Sequence, residues 1–198
     1  MIVGLVDYGV GNLHSLVKAL ELGGARVRVE TNPRLALGSD ALVLPGVGAF
    51  GPAALGLAPA ASEIRDALRA GFPALGICLG MQLLFEGSEE SPGEGLGIFR
   101  GQVRRLHARR VPQMGWNWVT SRPDPLFARR PLLSAYYANS YIAVPEEPGD
   151  VVATSDYDGI SFPAAVRRGR TWGVQFHPEK SGAAGLDLIR GFLAQVGR

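Results

Sequence analysis

Ala74-Leu75-Gly76-Ile77-Cys78-Leu79-Gly80-Met81-Gln82-Leu83-Leu84-Phe85 decides the fold of this 198-residue chain. The first four residues are a run of strand length, and the residues from Leu79 to Phe85 follow as a helix. Strand passes into helix without a loop, and Cys78, the residue at the junction, is the only cysteine in the chain. A glycine stands two positions away on either side. G-x-C-x-G at such a switch has the pattern of a nucleophile elbow, where the backbone bends sharply and side chains two residues away would clash. The alternative is a packed core cysteine, and the paired glycines favour the elbow. An elbow lifts the sulfur to the C-terminal edge of the sheet, where open α/β folds bind ligands. It also sets the thiol at a helix N-terminus, which favours thiolate.

The flanking sequence predicts the sheet that the elbow needs. Ile2 to Val6 is an apolar strand, and Asn12 reads as the cap of a helix carrying Leu13, Leu16, Val17 and Leu20, stopped by Gly23-Gly24. Val27 and Val29 mark a second strand, and 41–44 a third, cut off by Pro45. A helix covers 62–70. This alternation implies a largely parallel sheet covered by helices. Beyond a Gly/Ser/Glu-rich loop at 87–97 the pattern changes. Strand-like segments at 102–106, 114–119, 136–144, 151–154, 164–167 and 172–176 predict an antiparallel or mixed extension. Leu186, Ile189, Phe192, Leu193 and Val196 predict a closing helix. We expect one α/β domain spanning 1–198, flavodoxin-like in its parallel half.

Composition narrows the function. A formal charge of +2, with 46% hydrophobic and 19% charged residues, is that of a soluble globular protein. The basic pairs Arg104-Arg105 and Arg109-Arg110 read as solvated surface, and no nucleic-acid motif is present. No apolar stretch is long enough to span a bilayer. The N-terminus lacks a signal peptide, and one cysteine fits a reducing compartment, so a cytoplasmic location is expected. No cysteine pair points to a metal.

A nucleophilic cysteine needs a base. His14 lies in the first helix and His107 in an arginine-rich surface run. His177 instead ends a strand, is stiffened by Pro178, and has Glu179 two residues on. That suits a general base oriented by a carboxylate, although a strand-end histidine beside an exposed glutamate fits the segment equally well. Acyl transfer also needs oxyanion donors. Leu79 N–H is one candidate, and the glycine-rich turn Pro45-Gly46-Val47-Gly48 offers another at Val47. Read locally, that turn is as well explained as an ordinary strand-to-helix connection.

LPGVGAFG, GICLGMQLLF and GVQFHPEKS, in that order, resemble the class I (triad) glutamine amidotransferases. DYGVGNL at 7–13 and VPQMGWN at 111–117 are similar to the branch that serves as glutaminase subunits of imidazole-glycerol-phosphate synthase. The resemblance implies that Cys78 attacks the side-chain amide of L-glutamine, that His177 activates the thiol and protonates the departing ammonia, and that Glu179 orients His177. It implies oxyanion donors at Val47 and Leu79, glutamine contacts at Gly46, Gly48, Gln82, Ser140 and Tyr141, and no metal or cofactor. It further implies a heterodimer with a (β/α)8-barrel cyclase that receives the ammonia, with Asn12, Trp116, Tyr136 and Lys180 at or near the interface. Two positions depart from the pattern: Asn139 and Gln113 stand where the family usually has histidines. A glutaminase for another barrel partner, a non-catalytic module and a cysteine hydrolase are the competing readings.

Overall fold

Five short runs lie side by side as parallel strands at the centre of the computed structural model, which describes residues 1–9, 13–46 and 48–197. They are β1 (Ile2–Val6), β2 (Arg26–Glu30), β3 (Ala41–Leu44), β4 (Ala74–Ile77) and β13 (Thr171–Val174). Three antiparallel strands, β12 (Ile160–Arg168), β11 (Val151–Tyr157) and β8 (Thr120–Ser121), continue the same sheet. The order is β2-β1-β3-β4-β13-β12-β11-β8. The expected parallel half with an antiparallel extension is thus what the chain builds. The helix cap expected at Asn12 and the oxyanion donor expected at Val47 lie outside the described residues.

Helices cover both faces, which is why the central strands are apolar on both sides. Ala41 and Val43 of β3 join a core with Leu16 and Leu20 of α1 (His14–Leu22) and Leu188, Ile189 and Phe192 of α6 (Gly182–Val196). Leu42 and Leu44 point the other way, towards Phe50, Ala53 and Leu57 of α3 (Phe50–Leu57) and Ile64 and Leu68 of α4 (Ala61–Arg69). A single-turn helix, α2 (Pro33–Ala36), precedes β3.

Two small sheets complete the fold. One is β10-β6-β5, made of β10 (Tyr141–Pro145), β6 (Gly101–Arg105) and β5 (Gly87–Ser88). The other pairs β7 (Gln113–Trp118) antiparallel with β9 (Ser134–Asn139). The segment expected as one strand over 136–144 is therefore two, in different sheets, broken at Ser140. The break has partners: Ser140 O accepts from Leu106 N at 2.9 Å, and Asn139 Nδ2 donates forward to Tyr141 O at 3.1 Å.

Other differences have local causes. The helix after the elbow, α5 (Leu79–Gln82), is a single turn rather than 79–85. Leu84 N and Phe85 N reach back only three residues, to Met81 O and Gln82 O, so the coil tightens and ends. Leu83, Leu84 and Phe85 are all fully buried, leaving no polar face for a surface helix. Helix α3 has two glycines and Pro52 within eight residues, a composition that hides it, although proline is tolerated in a first turn. Among the described residues no helix is long and apolar enough to cross a membrane. Arg104 and Arg109 pair with Glu89 and Asp158, as solvated surface residues do.

Candidate active site

Cys78 has φ +48° and ψ −104°, a conformation an L-residue holds only when its surroundings impose it, at a cost of about 1–3 kcal/mol. Strand pairing supplies the constraint. Ile77 of β4 lies opposite Val174 of β13, and Cys78 N donates to Val174 O at 2.7 Å. The flanking glycines are there for space. A Cβ on Gly76 would lie 2.5 Å from Gly80 O, and one on Gly80 would run into the Leu44 carbonyl. The elbow read from the sequence is the geometry observed. The helix behind it is a single turn, too short for the aligned peptides that make a macrodipole.

His177 follows β13 by three residues and is buried. Its backbone N donates to Tyr136 O at 2.8 Å. Ser181 Oγ donates to His177 O at 2.7 Å and accepts from Tyr136 N at 3.0 Å, so one hydroxyl ties this turn to β9. The short 3-10 turn Pro178–Lys180 brings the Glu179 carboxylate back, where Oε1 lies 2.8 Å from His177 Nδ1. Glu179 is therefore not exposed: only 8% of its side-chain surface is accessible. Burial alone would lower the His177 pKa, but its hydrogen bonds to Cys78 and Glu179 and their negative charges outweigh this and push it up from 6.5 to about 10. The imidazole holds its proton at neutral pH, and a protonated imidazole beside a sulfur is the resting arrangement of an activated Cys–His pair. His14 and His107 are exposed.

A cleft of about 190 Å³ opens at the sulfur. Gly46, Gly48, Leu79, Gln82, Ser140 and Tyr141 line it, all residues singled out from the sequence. Asn139, noted in the sequence as a departure from the family pattern, also lines it, and Glu90 and Ala138, which the sequence did not mark, complete the wall. Glu90 comes from the glycine-rich loop, and its Oε2 accepts from Phe50 N at 2.7 Å at the start of α3. Gln175 was also missed. It is fully buried, with Nε2 3.5 Å from Cys78 Sγ and Oε1 accepting from Gln82 Nε2 at 3.4 Å. Lone glutamines and glutamates in such segments carry no spacing signal that could have marked them.

A second cluster forms on the β7-β9 ribbon. The Trp116 and Tyr136 rings meet edge to face at 6.4 Å, and Lys180 Nζ stands 5.8 Å from the Tyr136 ring. Three of the four residues expected at an interface are thus together. Met114 and Trp118 alternate with Trp116 along the same strand, and all three are more than half exposed. Gln113 and Asn139, the two departures from the family pattern, face each other across this ribbon. Among the described residues, no cluster of His, Cys, Asp or Glu could hold a metal ion.

The fold, the elbow thiol and its buried histidine define a class. The family model described as glutamine amidotransferase class-I matches residues 4–196, and the chain belongs to that family. Within it, the chain aligns over nearly its whole length with proteins named imidazole glycerol phosphate synthase subunit HisH. The one from Thermosynechococcus vestitus is 45% identical, over 98% of this chain and 97% of its own length. The one from Thermococcus kodakarensis is 48% identical, over 96% of this chain and 98% of its own. Among solved structures, one titled as a glutamine amidotransferase superposes with a TM-score of 0.76 at 21% identity, covering 99% of this chain and 100% of that one. PurLQS from Thermotoga maritima gives 0.75 at 19%, covering 98% of each chain. At those identities the likeness concerns the fold alone.

Proposed function

We propose that this chain is the glutaminase subunit of an imidazole glycerol phosphate synthase and that Cys78, His177 and Glu179 carry its chemistry. Cys78 Sγ attacks the side-chain amide carbon of glutamine. The tetrahedral intermediate places its negative oxygen against the N–H of Leu79 and of Val47. His177 gives its proton to the leaving nitrogen, ammonia departs, and a γ-glutamyl thioester remains on Cys78. A water then attacks the thioester. His177 takes the water's proton, glutamate leaves, and the sulfur is thiolate again. Glu179 holds Nδ1 so that the other ring nitrogen faces the sulfur, and it stabilises the imidazolium. The observation that carries this reading is the strained elbow of Cys78 beside a buried histidine whose Nδ1 lies 2.8 Å from Glu179.

Glutamine fits the cleft chemically. Gly46, Gly48, Gln82, Ser140 and Tyr141 enclose it, and Glu90 offers a carboxylate complementary to the substrate's α-ammonium. The ammonia goes to a (β/α)8-barrel cyclase bound as the other half of a heterodimer, which makes imidazole glycerol phosphate and an aminoimidazole carboxamide ribotide for histidine biosynthesis. Trp116, Tyr136 and Lys180 belong to that interface, together with Asn12. Support comes from the names of the relatives and from an exposed aromatic cluster of the kind that anchors protein contacts. The same reading places the chain in the cytoplasm, where its one thiol stays reduced.

The test is a glutaminase assay on the isolated chain and on its complex with the cyclase and the cyclase's ligand. We expect slow glutamate release alone and strong stimulation in the loaded complex. Glycines flank Val47 in the sequence, and the stimulation is proposed to act at this expected oxyanion donor. Equal turnover in both states would overturn the coupling.

A further inference from the structure

Gln175 is a fully buried amide with both ends engaged. It lies two residues before His177, just past the end of β13, and its backbone N donates to Ala164 O at 2.9 Å. One end of the side chain, Nε2, donates to Cys78 Sγ at 3.5 Å. The other, Oε1, accepts from Gln82 Nε2 at 3.4 Å, and the same Gln82 nitrogen donates to Tyr141 O at 3.2 Å in the cleft wall. Donors and acceptors alternate correctly along this chain: each amide nitrogen gives, and each oxygen receives.

A buried N–H must have an acceptor, and a neutral thiol is a weak one. A thiolate is a strong one, because hydrogen bonds to ionised acceptors are roughly twice as strong as neutral ones. The sulfur has a competing partner, the Ala138 carbonyl at 3.9 Å, which accepts only from the protonated thiol. Two opposed contacts therefore bear on the same atom. We propose that Gln175 is a catalytic residue of this site, donating its side-chain amide to Cys78 Sγ and holding the sulfur as thiolate before attack. This rests on the reading of Cys78 as the nucleophile. Once the thioester forms, the sulfur loses its charge and the bond weakens, so Gln175 favours the attacking state and the deacylated one. Through Gln82 it links the nucleophile to Tyr141 at the start of β10.

Cys78 is the only cysteine in the chain, so the pH dependence of alkylation by iodoacetamide reports its thiolate without interference and without turnover. In Gln175→Met, which keeps the volume and removes the donor, the midpoint should move up so that the thiolate fraction below it falls about tenfold, as for the loss of one hydrogen bond to a charged group. The plateau rate at high pH should rise about threefold, because a thiolate without its donor is the stronger nucleophile, and a plateau that falls would mark a general loosening of the site and overturn the assignment. Gln175→Asn, too short to reach the sulfur, should shift the midpoint the same way if the methionine variant fails to fold. In the wild-type protein, a side-chain amide signal that is absent in Gln175→Asn should titrate with the alkylation midpoint. An unmoved midpoint in a folded variant, or an amide signal indifferent to that titration, would overturn the proposal. Neither result would touch the glutaminase reading, which falls only if Cys78→Ala retains glutamine hydrolysis.

Discussion

Gly46 and Cys78 are so close that a methyl group on Gly46 would lie 2.9 Å from Cys78 Cβ, while also meeting Ile77 O at 2.8 Å and His177 Cε1 at 3.1 Å. No side chain fits between the glycine-rich turn and the thiol–imidazole pair. Gly46→Ala must push the turn, the nucleophile or the base aside. Misplacements of this order cost about 10²-fold in turnover, and overpacking costs about 1–3 kcal/mol in stability. Steady-state glutaminase kinetics and a denaturant melt check both, and a variant within twofold of wild type would contradict the packing described.

The proton on His177 gives a signed pH dependence. Its pKa is raised in the fold from 6.5 to about 10, against the cost of burial, by Cys78 and Glu179. A raised value means that the interaction stabilises the protonated form. That stability is complete below about pH 6.5 and is lost as pH rises through about 10. Turnover should share the basic limit, since the leaving nitrogen needs that proton. Glu179→Gln removes one of the two charged partners. It should move the basic limb of the pH–rate profile to lower pH and reduce the decline in melting temperature between pH 7 and 10. Unchanged profiles would contradict the pairing.

Asp124 predicts a change in stability without a change in reactivity. Its nearly buried carboxylate accepts from Leu126 N at 2.9 Å, from the indole N–H of Trp172 at 3.1 Å and from Arg167 Nη1 at 3.2 Å. Removing it leaves a buried indole N–H without its acceptor and a guanidinium without its partner. Asp124→Ala should cost about 2–3 kcal/mol, measured by denaturant unfolding, while alkylation of Cys78 keeps its wild-type pH dependence.

How far the sequence carried these conclusions differs by element. Cys78 was legible because an elbow needs small neighbours within two residues, so its signature is local. His177 and Glu179 were legible as a strand end stiffened by proline, although only the fold shows that the 3-10 turn buries the carboxylate. Helix α3 was not legible. Its capping partners are Glu90 Oε2 and Ser91 Oγ, which accept from Phe50 N and Gly51 N from 40 residues away. The break at Ser140 was hidden because apolar alternation continues through it while the hydrogen-bonding partner changes from β7 to β6. Gln175 was hidden because a buried glutamine inside a strand-like run has no period of its own.

Trp116 provides the test of the interface. Trp116 is 60% exposed in the isolated chain, so Trp116→Ala should leave the melting temperature of the free subunit nearly unchanged. An aromatic anchor at the centre of an interface contributes about 2 kcal/mol or more. Affinity for the cyclase should therefore fall about 30-fold, as read by titration calorimetry. Undiminished affinity would move the docking face elsewhere.

The central claim is that the thiol of Cys78 opens the amide of glutamine. Glutamate release by the Cys78→Ala complex, measured beside cyclase turnover with free ammonia, tests it most directly. No glutamate should form from glutamine above background, while ammonia-dependent turnover stays intact. Glutamine hydrolysis at the wild-type rate in Cys78→Ala would contradict it.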